Sequence, residues 1–220
     1  MVDARGKTGV EGRRKLLLGV AGLAALALPA CTLPGGGPPP RRIRLNPATE
    51  FPPNMPSVGW KLVVDEPSAT QSINNARISI FRTDGSIEYL STGLWASRAP
   101  EMVMELLVDS FKNSNRILVV GDRRSRIRPD FELESRLTDF QVNSTGASGS
   151  GTGNAATVKV GLDVSLLQRP RRTALATMFF ESEVQISEES LDSGVAAFDR
   201  ALQDVMADVV DWTLRTGAGA

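Results

Sequence analysis

The sequence predicts an α/β sandwich, a mixed and largely antiparallel sheet packed with two main helices, as a single domain behind a signal peptide and a tether. Three observations carry this. Seven short runs are apolar continuously or at every second position, as strands are. Two segments repeat apolar residues every three or four positions, as helices with one buried face do. A chain of 220 residues with 41% hydrophobic and 23% charged residues fits one folded core.

The first thirty residues are set apart: a basic stretch, "MVDARGKTGVEGRRK", precedes "LLLGVAGLAALAL". This is the layout of a signal peptide, residues 1–30. The uncharged run Leu16–Leu28 has thirteen residues, where a bilayer-spanning helix needs about 20. Arg13-Arg14 suits a plain basic leader or a twin-arginine export signal. Leu28-Pro29-Ala30-Cys31 resembles a bacterial lipobox, in which cleavage leaves the cysteine first and its sulfur carries a diacylglyceryl group. Cys31 is the only cysteine of the chain, as an attachment point with no competing thiol would be. Thr32, rather than Asp, follows it, which by resemblance to lipoprotein sorting implies the periplasmic face of the outer membrane.

Residues 31–58 hold eight prolines, which disfavour helix and favour extended backbone. They are expected to form a tether of about 25 residues reaching on the order of 75 Å, with a short edge strand at 42–46. The domain proper is expected over residues 59–215. There "WKLVVDEP", "ARISIFR" and "SIEYLS" are β-branched runs between turn residues, and the last two flank Thr83-Asp84-Gly85 as a hairpin would. In "WASRAPEMVMELLVDSFKNSN", Pro100 suits a first helical turn, Glu101 the positive helix end, and Val103, Leu106, Leu107, Ser110 and Phe111 share a face. "RILVV" reads as an interior strand covered on both sides.

In "DFELESRLTDFQV", Phe131, Leu133 and Leu137 share one parity and Phe140 and Val142 the other, which places a bulge near Thr138 or Asp139. "TVKVGLDVSLL" alternates strictly and is its expected hairpin partner. The connection "NSTGASGSGTGNAA" lacks the Lys-Ser/Thr ending of a phosphate-cradling loop and reads as a flexible turn. "TALATMFFESEVQI" returns as a further strand. The final segment places Leu191, Val195, Phe198, Leu202, Val205, Val209 and Trp212 on one helix face, with Ser190 or Asp192 as cap and Gly217 just beyond its end.

Chemistry is sparse. The chain has no histidine, so serine nucleophiles and zinc ligation lack their usual partner. Lys61, Lys112 and Lys159 fall outside any Ser-x-x-Lys setting. The acidic pairs Glu181/Glu183 and Asp208/Asp211 read as solvated surface. No enzyme activity, cofactor or metal is expected. The leader takes five of 25 basic and two of 25 acidic residues, leaving a net charge near −3 from Cys31 onward, which does not suit nucleic acid. Two arginine clusters stand out: Arg123, Arg124, Arg126 and Arg128, then Arg169, Arg171 and Arg172. They offer planar contacts to an acidic partner or to lipid headgroups.

From "YLSTGLWASRAPEMVMELLVDSFKNSNRILVV" through "DFELESRLTDFQV", "TVKVGLDVSLL", "RRTALATMFF" and "VAAFDRALQDVMADVVDW", spanning 59–213, the chain resembles the auxiliary lipoproteins of ABC-type transport systems. These accompany the mammalian-cell-entry class of intermembrane lipid transporters, and the paraquat-inducible lipoprotein is a relative. The resemblance implies a non-catalytic, membrane-anchored module that supports phospholipid transport by docking the substrate-binding mammalian-cell-entry protein, with energy from a separate ATPase. The one residue it carries over is the lipid-bearing Cys31. A periplasmic lipid carrier with an acyl groove is the alternative, an envelope hydrolase a more distant one, and assembly into homo-oligomers is left open.

Overall fold

A computed structural model describes residues 39–144, 156–188 and 190–220. The signal peptide, Cys31 and most of the loop "NSTGASGSGTGNAA" lie outside these described residues.

Among the described residues the architecture is a mixed sheet of nine strands with two helices. Its spine is β7 (Phe131–Ser144), antiparallel to β8 (Ala156–Gln168), which in turn pairs antiparallel with β9 (Thr173–Gln185). The other side of β7 is shared by three shorter strands that lie parallel to it in succession. These are β2 (Val58–Val64), β3 (Ser68–Ala69) and β4 (Arg77–Arg82). Beyond β2 lies β6 (Ile117–Asp122), parallel to it. Beyond β4 come β5 (Ile87–Trp95), antiparallel, and β1 (Arg41–Ile43), parallel to β5.

The strict alternation of β8 buries Val158, Val160, Leu162, Val164 and Leu166, and the opposite parity carries Thr157, Lys159, Asp163 and Ser165 together with Gly161 and a buried Leu167. The expected bulge is present, the register of β7 on β8 shifting between Leu137 and Asp139. Gly161 is paired with Asp139, and a Cβ on it would lie 2.5 Å from Thr138 Oγ1 and 2.7 Å from Asp139 Oδ2. The bulged side chains thus occupy the space a larger residue would need. Gly161→Val is therefore expected to cost about 1–3 kcal/mol by overpacking. Urea denaturation measures it, and an unchanged midpoint would show that the bulge yields freely.

Helix α1 (Ala99–Ser114) starts with Pro100 in its first turn and ends at Asn115, whose left-handed backbone (φ 54°) lets its N–H reach the Lys112 carbonyl at 3.1 Å. Helix α2 (Leu191–Ala218) is capped by the Ser190 hydroxyl, which accepts from the Ser193 N–H at 3.1 Å. Both helices contribute their apolar faces to one core with β2, β5, β7 and β8. At its centre Trp95, Phe140 and Phe198 are mutually in contact, with ring centroids 4.9–5.3 Å apart.

Three expectations are corrected. Gly217 lies inside α2 because the Trp60 indole occupies the place of its side chain, 2.6 Å from where a Cβ would stand. The run "RILVV" forms an edge strand, since β2 inserts between it and β7, and Leu118 is 65% exposed. The tether expected over 31–58 does not extend through its described part. From residue 39 onward the chain forms β1 and then crosses both helices as a strap, burying Leu45, Ala48 and Met55. Asp199 of α2 accepts from the Asn46 N–H (2.7 Å) and side-chain amide (2.6 Å). On α1, the Ser110 hydroxyl accepts from the Ala48 N–H (2.9 Å) and Asn113 donates to the Ala48 carbonyl (3.0 Å). Proline forbids a helix here, yet extended backbone with side chains supplying its hydrogen bonds packs well.

Candidate functional site

The two arginine clusters, forty residues apart in sequence, meet at one end of the sheet. The first lies in a 3-10 turn (Arg123–Ser125) and the loop leading into β7, the second in the β8–β9 turn, and Phe131 pairs with Gln168 between them. Asp130 ties the loops together. Its carboxylate accepts from the Lys61 N–H at 2.8 Å and its carbonyl from the Arg169 N–H at 2.9 Å.

Four of the seven arginines are held by carboxylates. Arg123 donates from Nε to Asp65 at 2.5 Å and from its terminal nitrogen to the same group. Arg124 donates to Asp122 at 2.6 Å. Arg169 and Arg172 flank the buried Glu132 at 3.5 and 3.1 Å, and Arg172 also bonds Glu134. The Glu132 oxygen nearest Arg172 is close enough for an ion pair but not aligned for a hydrogen bond. Asp122 also accepts from the Ser125 N–H and hydroxyl, at 3.0 and 2.7 Å. The bonds from Arg124 and Ser125 hold its carboxyl below the usual range.

Arg126, Arg128 and Arg171 are exposed, and none has a carboxylate partner among the described residues. Arg126 sits in the left-handed region (φ 52°), where it ends the 3-10 turn and turns the chain outward. The rim thus presents three uncompensated guanidinium groups above a layer of neutralised ones. Of the partner carboxylates, Glu132 and Glu134 carry a signal in sequence only as polar alternates in β7, and Asp65 and Asp122 only as charges at the ends of the apolar strands β2 and β6.

The acidic pairs fall on solvated faces. Glu181 bonds Lys159 (3.3 Å), and that bond, with the charges of Asp139, Glu181 and Glu183, raises the Lys159 ammonium above its ordinary value. Partial burial, then the charges of Asp204 and Asp211 along α2, push the Asp208 carboxyl up. A carboxyl raised on folding favours the folded state below its unfolded value and disfavours it as pH rises through the folded one. Asp208→Asn is therefore expected to stabilise at neutral pH by about 0.2–0.5 kcal/mol, the scale of a screened like-charge helix pair, and to give no gain at pH 3. Urea midpoints at the two pH values decide it.

An open cleft of about 420 Å³ that the sequence did not suggest runs between α1 and β6, lined by Arg44, Glu105, Asp109, Lys112 and Asp122 with Met104. Its charges are paired, Arg44 of the strap with Glu105 of α1 at 3.9 Å and Lys112 with Asp109 along α1 at 3.1 Å. Among the described residues no group of acidic, histidine or cysteine side chains could hold a metal, and no helix is long and apolar enough to cross a membrane.

Residues 44–210 match the ABC-type transport auxiliary lipoprotein component family, and the chain belongs to it. The match begins inside the strap, so the packed stretch before residue 59 is part of the family's domain. An uncharacterized protein of Bradyrhizobium diazoefficiens is 24% identical over 183 residues, 82% of this chain and 47% of that protein. The chain thus spans about half the length of this curated relative. The crystal structure of protein XCC0632 from Xanthomonas campestris superposes with a TM-score of 0.68 at 27% identity, covering 82% of this chain and 95% of that one. The crystal structure of an uncharacterized protein shares the fold at a TM-score of 0.56 and 14% identity, covering 75% and 97% of the two chains. The family is one of auxiliary lipoproteins of ABC-type transport, which implies association with the cell envelope.

Proposed function

We propose that the chain is a non-catalytic docking lipoprotein, anchored through acylated Cys31 to the periplasmic face of the outer membrane. There it supports intermembrane phospholipid transport by binding the mammalian-cell-entry type substrate-binding component of its transporter. The family match carries this reading, and the basic rim supplies a surface for it. Three guanidinium groups without internal partners keep their full capacity for bidentate contact with acidic side chains.

A lipid carrier would need an apolar groove, and the cleft beside α1 is walled by ion pairs, which an acyl chain would have to desolvate. Affinity purification of the full chain from gently solubilised envelopes tests the docking reading. Transporter subunits should co-purify with the wild type and be lost, wholly or to a few per cent, with Arg126, Arg128 and Arg171 all changed to Glu. Recovery without any transporter subunit sinks the docking role, and undiminished recovery with the triple variant moves it away from the rim. Phospholipid bound stoichiometrically to the delipidated protein in native mass spectrometry would favour the carrier.

A further inference from the structure

β1 is the first strand of the described chain and lies at an edge of the sheet, so the polypeptide from Cys31 enters the folded body there. It runs parallel to β5, and residues 39 and 40 therefore approach from the end of β5 at which Ile87 lies. On the sheet face turned away from the buried Ile43 and Trp95, the register sets Arg42 of β1, Leu94 of β5 and Arg77 of β4 in one row across three strands. Further along the same face Ser79 pairs with Tyr89 and Phe81 with Ile87. From Arg77 to Phe81 this patch is about 13 Å long at 3.4 Å per residue.

The patch is cationic at one end and apolar at the other. Arg42 and Arg77 are exposed, and neither has a carboxylate partner among the described residues, although the adjacent Arg41 is held by Asp192 at 2.8 Å. The Arg77 guanidinium stands 3.8 Å from the centre of the Tyr89 ring, a cation–π contact that keeps it on this face. The one acidic residue of the three strands, Glu88, pairs with Ile80 on the opposite face and holds Arg82 there. Ile87 is 42% exposed, and Phe81, Tyr89 and Leu94 are half-buried.

We infer that this face of β1, β5 and β4 rests on the anionic phospholipid headgroups of the bilayer that holds Cys31, and so fixes the orientation of the domain on the membrane. Charge and chain length both select this occupant. Arginine grips phosphate through planar, bidentate contacts, tyrosine settles at headgroup level, and an exposed apolar side chain such as Ile87 gains by entering the boundary beneath it. The ten residues from Cys31 to Arg41 span at most about 36 Å, which keeps the β1 edge at the bilayer surface. The arginine loop after β6 lies at the other end of the strand order. The contact rests on the acylation of Cys31 proposed above and is separate from the docking role of Arg126, Arg128 and Arg171.

Site-directed fluorescence tests this on the full chain, purified from its own membranes and reconstituted into vesicles of phosphatidylcholine and phosphatidylglycerol in equal parts. Ile87→Cys, and Leu118→Cys on the exposed β6 edge as control, carry the probe singly, with the labelled wild-type chain, whose one cysteine is Cys31, as baseline. A phospholipid bearing a nitroxide on its headgroup should quench the Ile87 probe several-fold more than the Leu118 probe. A basic side chain near an anionic surface favours contact roughly five-fold. Arg42→Glu with Arg77→Glu should therefore bring quenching at Ile87 down to the Leu118 level, and vesicles of phosphatidylcholine alone should lower it several-fold. Arg42→Lys with Arg77→Lys should keep most of it, and Arg126, Arg128 and Arg171 all changed to Glu should leave it unchanged. A chain that does not stay with the vesicles removes the anchor and this contact together. A chain that stays, with its Ile87 probe quenched no more than the Leu118 probe, overturns the contact alone. So does an Ile87 probe shielded from both the nitroxide and aqueous iodide, since protein then covers the face. Quenching that ignores Arg42 and Arg77, or that falls with the three rim arginines, also overturns it. Circular dichroism melts of each variant confirm that the domain is folded when quenching is read.

Discussion

Phe198→Ala is expected to lower the stability of the domain by about 3–5 kcal/mol, the range for deleting a buried aromatic ring. Phe198 is 1% exposed and joins α2 to the sheet, meeting Trp95 of β5 edge-on at 4.9 Å and Phe140 of β7 at 5.1 Å. Its removal forfeits the transfer energy of the ring and two aromatic contacts worth roughly 0.5–1.5 kcal/mol each, and it leaves a cavity walled by two other large rings. Those rings are locked by their own neighbours, so collapse onto the void is limited. Against a typical total of about 5–15 kcal/mol, this is a large fraction. At about 2–4 °C per kcal/mol for a chain of this size, the Tm should fall on the order of 10 °C. Phe140→Ala in the same background should cost less than it does alone, because the two rings share a contact. A loss under about 1 kcal/mol, well below the range for such a ring, would show that the triad is not the centre of the core.

That triad illustrates what the sequence made legible. Phe198 sits in an unbroken three-four repeat, and Phe140 reveals itself by falling on the wrong parity after Leu137, so the helix face and the bulge were both readable from local pattern. Pairings between distant segments were not. Nothing local tells β6 that β2 will separate it from β7, and "RILVV", apolar throughout, reads as interior whether its edge is covered or open. The strap was hidden for a different reason. Its prolines announce extended backbone correctly, but whether such a chain floats or packs depends on Asp199, Ser110 and Asn113, more than sixty residues away. The arginine clusters were visible as charge. Their division into four neutralised and three free groups depends on carboxylates in other strands.

The strap also changes what anchoring through Cys31 would mean, and Cys31→Ser is the variant expected to act most strongly in the cell. In the acylated form each buried methylene contributes about 0.8 kcal/mol, and two or more chains convert reversible contact into lasting attachment. Serine has no sulfur to carry the thioether, so the full-length chain should pass from the membrane fraction almost wholly to the soluble one and lose label from radioactive palmitate. The fold should be untouched, because the described core begins at Ile43. A wild-type chain that takes up no palmitate, or a serine variant that stays in the membrane pellet, would remove the anchor. With the chain paired to the sheet from Arg41 of β1, about ten residues separate the sulfur from the packed body, and at 3.3–3.6 Å per residue they reach at most about 36 Å. The expected reach of about 75 Å assumed a free chain as far as residue 58. Were Cys31 acylated, a partner docking on this domain would meet it close to the bilayer surface.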